Sequence, residues 1–262
     1  MNTYVINLDR RPDRLERMQQ VAEAHDFTFE RISGIDAKAA GFRQQAEVLM
    51  KDGPTGRMSD NTLACTLSHI KAWETFVNDP DAGDRAVFLE DDVVLSTDFT
   101  DVLTQLAACH SNGYGLVKLE QGGAMARGAF VGRREPLDPD FALRKSYQIL
   151  TDAAAYMMTR TLAQELVTFR TRICAPVDHF LFYPRKSKGF WGGPYAVLDP
   201  AIAIQDREIA SDIAALRYTD TRRRRDLLRL RYEAAQFPAI LRGMVMQGVR
   251  LTKIGMRDQI KV

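Results

Sequence analysis

Cysteine is scarce in this sequence: Cys65, Cys109 and Cys174 are the only three, and none stands in CxxC spacing. That argues against a disulfide framework or a structural zinc site and fits a reducing compartment, with the three thiols as small core residues. Long apolar runs are missing as well. The first residues, Met1 to Leu8, pass directly into Asp9-Arg10-Arg11, so neither a secretion signal nor a membrane span is expected, and the expected location is the cytoplasm. No internal repeat and no low-complexity tract occurs. Net charge is small, +2 from 36 Lys and Arg against 34 Asp and Glu, but its distribution is uneven. Residues 207–262 hold 13 cations against 6 acids, which leaves 23 against 28 for residues 1–206. The chain therefore reads as an acidic body with a basic tail. With 262 residues, 45% of them hydrophobic, the body is large enough for one α/β domain over 1–206, with 207–262 as an appendage.

The most informative stretch is Ala86 to Val93, AVFLEDDV, in which a buried-strand pattern runs into Glu90, Asp91 and Asp92. Three adjacent carboxylates at the end of a core strand repel one another and resist desolvation, so a divalent cation is a natural compensator. Hard oxygen ligands suit Mg2+ or Mn2+, ions that commonly hold phosphate oxygens too. A solvated acidic turn explains the run equally well if it is taken alone.

Around that stretch the pattern is α/β. Tyr4 to Leu8 reads as a buried strand. Arg10 to Arg14 reads as a turn opening a helix whose inner face is Leu15, Met18, Val21 and Ala22, and Phe27 to Ile32 as a second strand. In open α/β sheets ligands gather at the carboxyl ends of strands, which would draw Asn7, Asp9, Arg11, Arg14, Ser33 and Asp36 to one crevice. Arginines there suit a diphosphate, although the same arginines also fit a solvated helix face. Residues 37–60 are irregular apart from a short helix at 44–50, and are a candidate mobile loop. A helix follows with Leu67, Ile70, Trp73 and Val77 inward. Ser68 and His69 are expected near its start, where free amides favour an anion, although a lone helix histidine is more often packed.

Beyond the acidic run, a helix with Phe99, Val102, Leu103 and Leu106 inward precedes a strand at 116–119. Residues 122–139 suggest irregular structure or a hairpin, the expected acceptor side of a cleft. Residues 153–158 read as a strand, and Thr161 with Gln164 as a capping box. Asp178 and His179 stand in an apolar segment, where Asp178 fits either a base or a helix N-cap. In the tail, Arg222 to Arg225 precede Leu227, Leu228, Leu230, Leu241, Met244, Val245 and Leu251, interleaved with Arg229, Arg231, Arg242 and Arg250. This describes a basic amphipathic helical region broken at Pro238. It suits an anionic membrane surface, or else a hairpin packed on the body with its arginines in water. No nucleic-acid module is recognisable, and the acidic body argues against such a partner.

Five segments together resemble glycosyltransferase family 25: Val5 to Arg14 (VINLDRRPDR), Arg31 to Asp36 (RISGID), Leu63 to His69 (LACTLSH), Phe88 to Val93 (FLEDDV) and Pro176 to Leu181 (PVDHFL). The likeness spans residues 4–205, so the tail lies outside it. Ala37 stands where the family usually has Gly, and 120–145 matches no family motif. The resemblance implies a GT-A-like, Rossmann-type mixed sheet flanked by helices. It also implies a UDP-hexose donor such as UDP-galactose, a saccharide acceptor in lipopolysaccharide or another surface glycan, and transfer with inversion. On that basis Glu90 and Asp92 are expected to hold Mn2+ or Mg2+, with Asp91 turned to the other side. Asn7, Arg11, Arg14, Ser33, Asp36 and Asp91 are expected around the nucleotide. Asp178 is expected as the base, or as a third metal ligand. His69 is expected on phosphate, with Gln205 as a weaker contact. The competing readings are a metal-dependent phosphohydrolase or nucleotidyltransferase, which would usually need a second acidic motif, and a membrane-surface adaptor, which leaves the triplet unexplained.

Overall fold

The computed structural model describes residues 1–49, 52–53, 56–108, 113–184, 191–206, 227, 230 and 234–258. The chain opens with β1 (Asn2–Asn7), α1 (Pro12–Ala24), β2 (Glu30–Ser33), α2 (Phe42–Ala46), β3 (Asp52–Gly53), β4 (Gly56–Arg57) and α3 (Asp60–Asn78). It continues through β5 (Arg85–Glu90), β6 (Val93–Leu95), α4 (Phe99–Ala108), β7 (Leu116–Lys118), α5 (Gly123–Arg127), β8 (Ala129–Val131), β9 (Glu135–Pro136) and β10 (Ala142–Lys145). The last elements are β11 (Ala155–Thr159), α6 (Arg160–Phe169), α7 (Val177–Leu181), β12 (Ala196–Asp199), β13 (Ala203–Gln205), α8 (Phe237–Gln247) and β14 (Arg250–Thr252).

Eight strands form one mixed sheet in the order β2-β1-β5-β11-β7-β12-β10-β9. β1 pairs in parallel with both β2 and β5, whereas β11 runs antiparallel between β5 and β7. The two-residue period of the strands sorts their side chains between two cores. Tyr4, Ile6, Phe88 and Tyr156 pack on one face with Trp73 and Phe76 of α3 and Leu166 of α6. Val5, Val87, Leu89 and Met157 pack on the other with Met18 and Val21 of α1 and Phe99 and Leu106 of α4. The expected mixed sheet flanked by helices is therefore what forms. Burial on both faces explains why β1 and β5 read as unbroken apolar runs rather than alternating ones.

Several expected boundaries move. α3 begins at Asp60 because the Ser59 hydroxyl accepts the Thr62 amide and caps it. Ser68 and His69 thus lie in mid-helix, not near its start, and the free-amide argument for an anion there fails. α6 is capped by Thr159, whose hydroxyl accepts the Leu162 amide, rather than by Thr161. Gly122 precedes the short α5, after which β8 pairs with β14 and β9 with β10. Pro238 sits in the first turn of α8, so it starts a helix instead of breaking one.

Of the basic tail, Arg222 to Arg225, Leu228, Arg229 and Arg231 lie outside the described residues. Residues 248–258 return to the body. β14 pairs with β8, Ile254 is fully buried, and Ala201, Thr97 and Ile254 donate amides to Gly255, Asp258 and Met125 carbonyls. Among the described residues no helix is long and apolar enough to cross a membrane.

Candidate active site

The carboxyl ends of β1, β2 and β5 open into a cleft walled by Arg10, Arg14, Asp36, His69, Glu90 and Asp92. β5 ends at Glu90, so Asp91 and Asp92 form a turn rather than an extended segment, and the three carboxylates diverge. Asp91 turns inward. Its Oδ2 accepts Asn7 Nδ2 at 2.8 Å and its Oδ1 accepts Arg14 Nη1 at 2.7 Å. Burial lifts its pKa above the ordinary aspartate value even though the Arg14 hydrogen bond and charge pull the other way. Asn7 is the joint of this corner: it also donates to the Arg11 carbonyl at 3.0 Å and accepts Arg31 Nε at 3.0 Å, tying β1 to α1 and β2.

Asp92 has the least support. It is 8% exposed, and its Oδ1 has no hydrogen-bond partner among the described residues. Its closest ion-pair contact there is Arg14 Nη1, at 4.0 Å from Oδ2. Burial, and then the charges of Glu90 and Asp91, push its pKa up to about 8. A buried carboxyl in that position either keeps its proton or faces a cation.

Glu90 is held from both sides. Oε1 lies 3.2 Å from His69 Nε2, and Oε2 accepts Gln205 Nε2 at 3.0 Å. Behind it, His69 Nδ1 meets the Tyr156 hydroxyl at 2.9 Å, and that hydroxyl accepts Trp73 Nε1 at 2.7 Å. An indole N–H can only donate, so the Tyr156 proton is free to serve His69, which leaves Nε2–H to point at Glu90. Two donor sets for a cation therefore meet at Glu90. Glu90 with Asp92 offers hard oxygens, and the orphaned Asp92 Oδ1 fits an ion such as Mg2+ or Mn2+. Cys65, His69 and Glu90, whose ligand atoms lie within 4.8 Å of one another, offer a softer sulfur, nitrogen and oxygen set.

The sequence signature of glycosyltransferase family 25, described as an LPS biosynthesis protein, matches residues 1–181. The chain belongs to glycosyltransferase family 25. It is accordingly a glycosyltransferase, with a sugar donor and an acceptor. No curated protein matches it significantly. Among solved structures, a glycosyltransferase involved in the glycosylation of the major capsid of PBCV-1 is 10% identical, covering 87% of this chain and 98% of its own at a TM-score of 0.38. A mannose-1-phosphate geranyltransferase from Thermus thermophilus is 11% identical, covering 99% of this chain and 74% of its own at a TM-score of 0.21. Both likenesses are remote.

In this family 25 transferase the residues expected around the nucleotide are only partly drawn together. Arg14, Asp36 and Asp91 reach the cleft wall. Arg11 instead pairs with Asp13 at 2.7 Å, and Ser33 donates to Asp9 at 2.9 Å beside the Arg31–Asp9 pair. Arg10 replaces Arg11 in the cleft, held by Asp36 at 2.6 Å. The one-residue shift follows from Pro12 starting α1, a rotation that residue types alone do not give. Asp178 is buried in α7 and is not among the residues lining the cleft. Its Oδ2 accepts the Asp152 amide at 3.0 Å and its Oδ1 the His179 amide at 2.8 Å.

Sequence reasoning missed Glu120. It is 1% exposed just beyond β7, and its Oε1 accepts Lys118 Nζ at 2.5 Å and the Ala154 amide at 2.8 Å, whereas Oε2 has no partner among the described residues. Burial raises its pKa to about 7 against the pull of Lys118. Lys118 and Glu120, two apart in VKLE, were the available signal, since that spacing puts both on one side of a strand.

Proposed function

We propose that this transferase moves a hexose, with galactose from UDP-galactose as the first candidate, onto a saccharide acceptor of lipopolysaccharide or another surface glycan, with inversion in a GT-A-type site. The observation that carries the reading is the buried Asp92 Oδ1, without a hydrogen-bond partner among the described residues, beside Glu90 in a cleft walled by Arg10 and Arg14. Glu90 and Asp92 would hold Mn2+ or Mg2+, and the ion would supply positive charge against the leaving diphosphate. Asp91, itself held by Asn7, holds Arg14, and Asp36 holds Arg10, so both guanidiniums are positioned before a donor arrives. Ser68 accepts the Ile35 amide at 2.8 Å and donates to the Ala64 carbonyl, which pins the Asp36 loop to α3. His69 acts in this reading through Glu90, as a positioning residue held by Tyr156.

Asp178 is proposed as the base for the acceptor hydroxyl. Its two backbone contacts give it a structural duty as well, so the two roles need separate readouts. In a folded Asp178→Asn enzyme that still binds donor, kcat should fall by about 10²–10⁴-fold. A near-normal kcat with a lowered Tm leaves Asp178 as a structural joint only.

The donor class is tested by thermal shift with UDP-galactose, UDP-glucose and GDP-mannose, each with and without Mn2+. One UDP-sugar should add stability that depends on the metal, and product analysis should find the sugar on an acceptor. Free phosphate as the product, or equal shifts without metal, would overturn the reading.

A further inference from the structure

α8 is seated on the body by one face and leaves the other open. Ile240 and Gly243 are its buried residues, and a Cβ at Gly243 would come within 2.7 Å of Val249 and 3.1 Å of the Tyr147 ring. Gly243 therefore allows a close approach that fixes which face looks outward. On that outward face stand Phe237 at 65%, Leu241 at 52% and Val245 at 77% exposure, four residues apart, with Met244 and Met246 beside them. Leu251 on β14, the strand that follows this helix, is a further exposed apolar side chain, at 62%. Arg242, Arg250, Lys253 and Arg133 are exposed as well, and residues 234–257 contain no Asp or Glu.

We propose that this face of α8, with Leu251, is a docking surface for an anionic lipid bilayer, on which the helix lies in the plane of the headgroups. The chemistry selects that partner over a second copy of the chain. A two-fold contact through this face would bring two patches carrying Arg242 and Arg250 together, with no carboxylate in residues 234–257 to offset them, whereas phosphate headgroups supply the missing negative charge. Large apolar side chains at four-residue spacing with cations at the margin are what an interfacial helix presents, and an eleven-residue helix is too short to span. The inference is independent of the donor, the metal and the base.

The test uses the full chain with vesicles of phosphatidylcholine alone or with added phosphatidylglycerol. Wild type should co-sediment with the anionic vesicles, lose them at high salt, and leave the neutral ones in solution. Leu241→Asp/Val245→Asp and Arg242→Glu/Arg250→Glu should each weaken partitioning by about tenfold or more, with Tm and transfer to a soluble acceptor unchanged. Sedimentation that ignores either pair of substitutions overturns the proposal. So does concentration-dependent dimerisation abolished by Leu241→Asp/Val245→Asp, which would assign the face to a second copy. A large fall in Tm of those variants, with no lipid binding by wild type, would mean that the face is packed within the protein, and would overturn the proposal too.

Discussion

Asp92 concentrates the electrostatic cost of this site. Its neighbour Asp91 has Arg14 and Asn7, and Glu90 has His69 and Gln205, but Asp92 Oδ1 has nothing among the described residues. With a pKa near 8 in the fold and about 4 in an unfolded chain, the folded protein binds this proton more tightly. Stability that is complete below pH 4 is therefore lost as the pH rises towards 8. Asp92→Asn removes that dependence. In cation-free buffer the variant should match wild type near pH 4 and exceed it by about 1–3 kcal/mol near pH 8, read as a Tm rise of several degrees. Mn2+ should close the gap by stabilising wild type alone, and sugar transfer by the variant should fall by about 10²–10³-fold. Wild-type activity in Asp92→Asn would remove the residue from the cation site. The triplet itself was legible as an electrostatic problem, because three adjacent acids after FL need compensation wherever they fold. Which of the three lacked a partner was not legible, because that depends on a turn beginning at Asp91.

At the scale of the element, α3 shows both what a pattern carries and what it omits. Its apolar spacing marks a helix from the sequence, yet the start depends on one hydroxyl, Ser59, and moving that start changes His69 from an anion-binding candidate into a mid-helix residue. What then fixes the ring is a cross-element contact, because Tyr156 on β11 takes the Trp73 indole N–H and meets His69 Nδ1. Trp73, His69 and Tyr156 are all 1% exposed or less, so no water can replace a lost bond. Tyr156→Phe should cost about 1–3 kcal/mol by stranding the indole donor, measured as a lower denaturant midpoint. It should also loosen His69 against Glu90 and lower kcat more than it raises KM. An unchanged kcat in a folded Tyr156→Phe protein would separate His69 from the reaction. No spacing rule joins residues 69, 73 and 156 across 87 positions, which is why this joint could not be read before the sheet order was known.

For the molecule as a whole, residues 248–258 of the basic 207–262 extension pack against the 1–206 body. The composition shift that marks the extension is real, since the cations do concentrate after residue 206. But charge patterning reports what a segment shows to solvent and says nothing of a strand as short as β14, whose three residues carry no periodicity to detect. Residues 248–258 exchange backbone hydrogen bonds with Ala201 and Met125, and Arg257 adds a 2.9 Å pair with Asp98. Ile254 is fully buried among them, and removing one such side chain alone costs about 2–5 kcal/mol. A chain ending at residue 247 should therefore lose stability in its catalytic body as well as in its tail, with a Tm at least 5 °C lower or no soluble product, since each kcal/mol is worth about 2–4 °C at this size. Ile254→Ala in the full chain should reproduce part of that loss while leaving α8 and its cations in place. If both proteins instead melt like wild type, residues 248–258 contribute no stability to the body that they pack against.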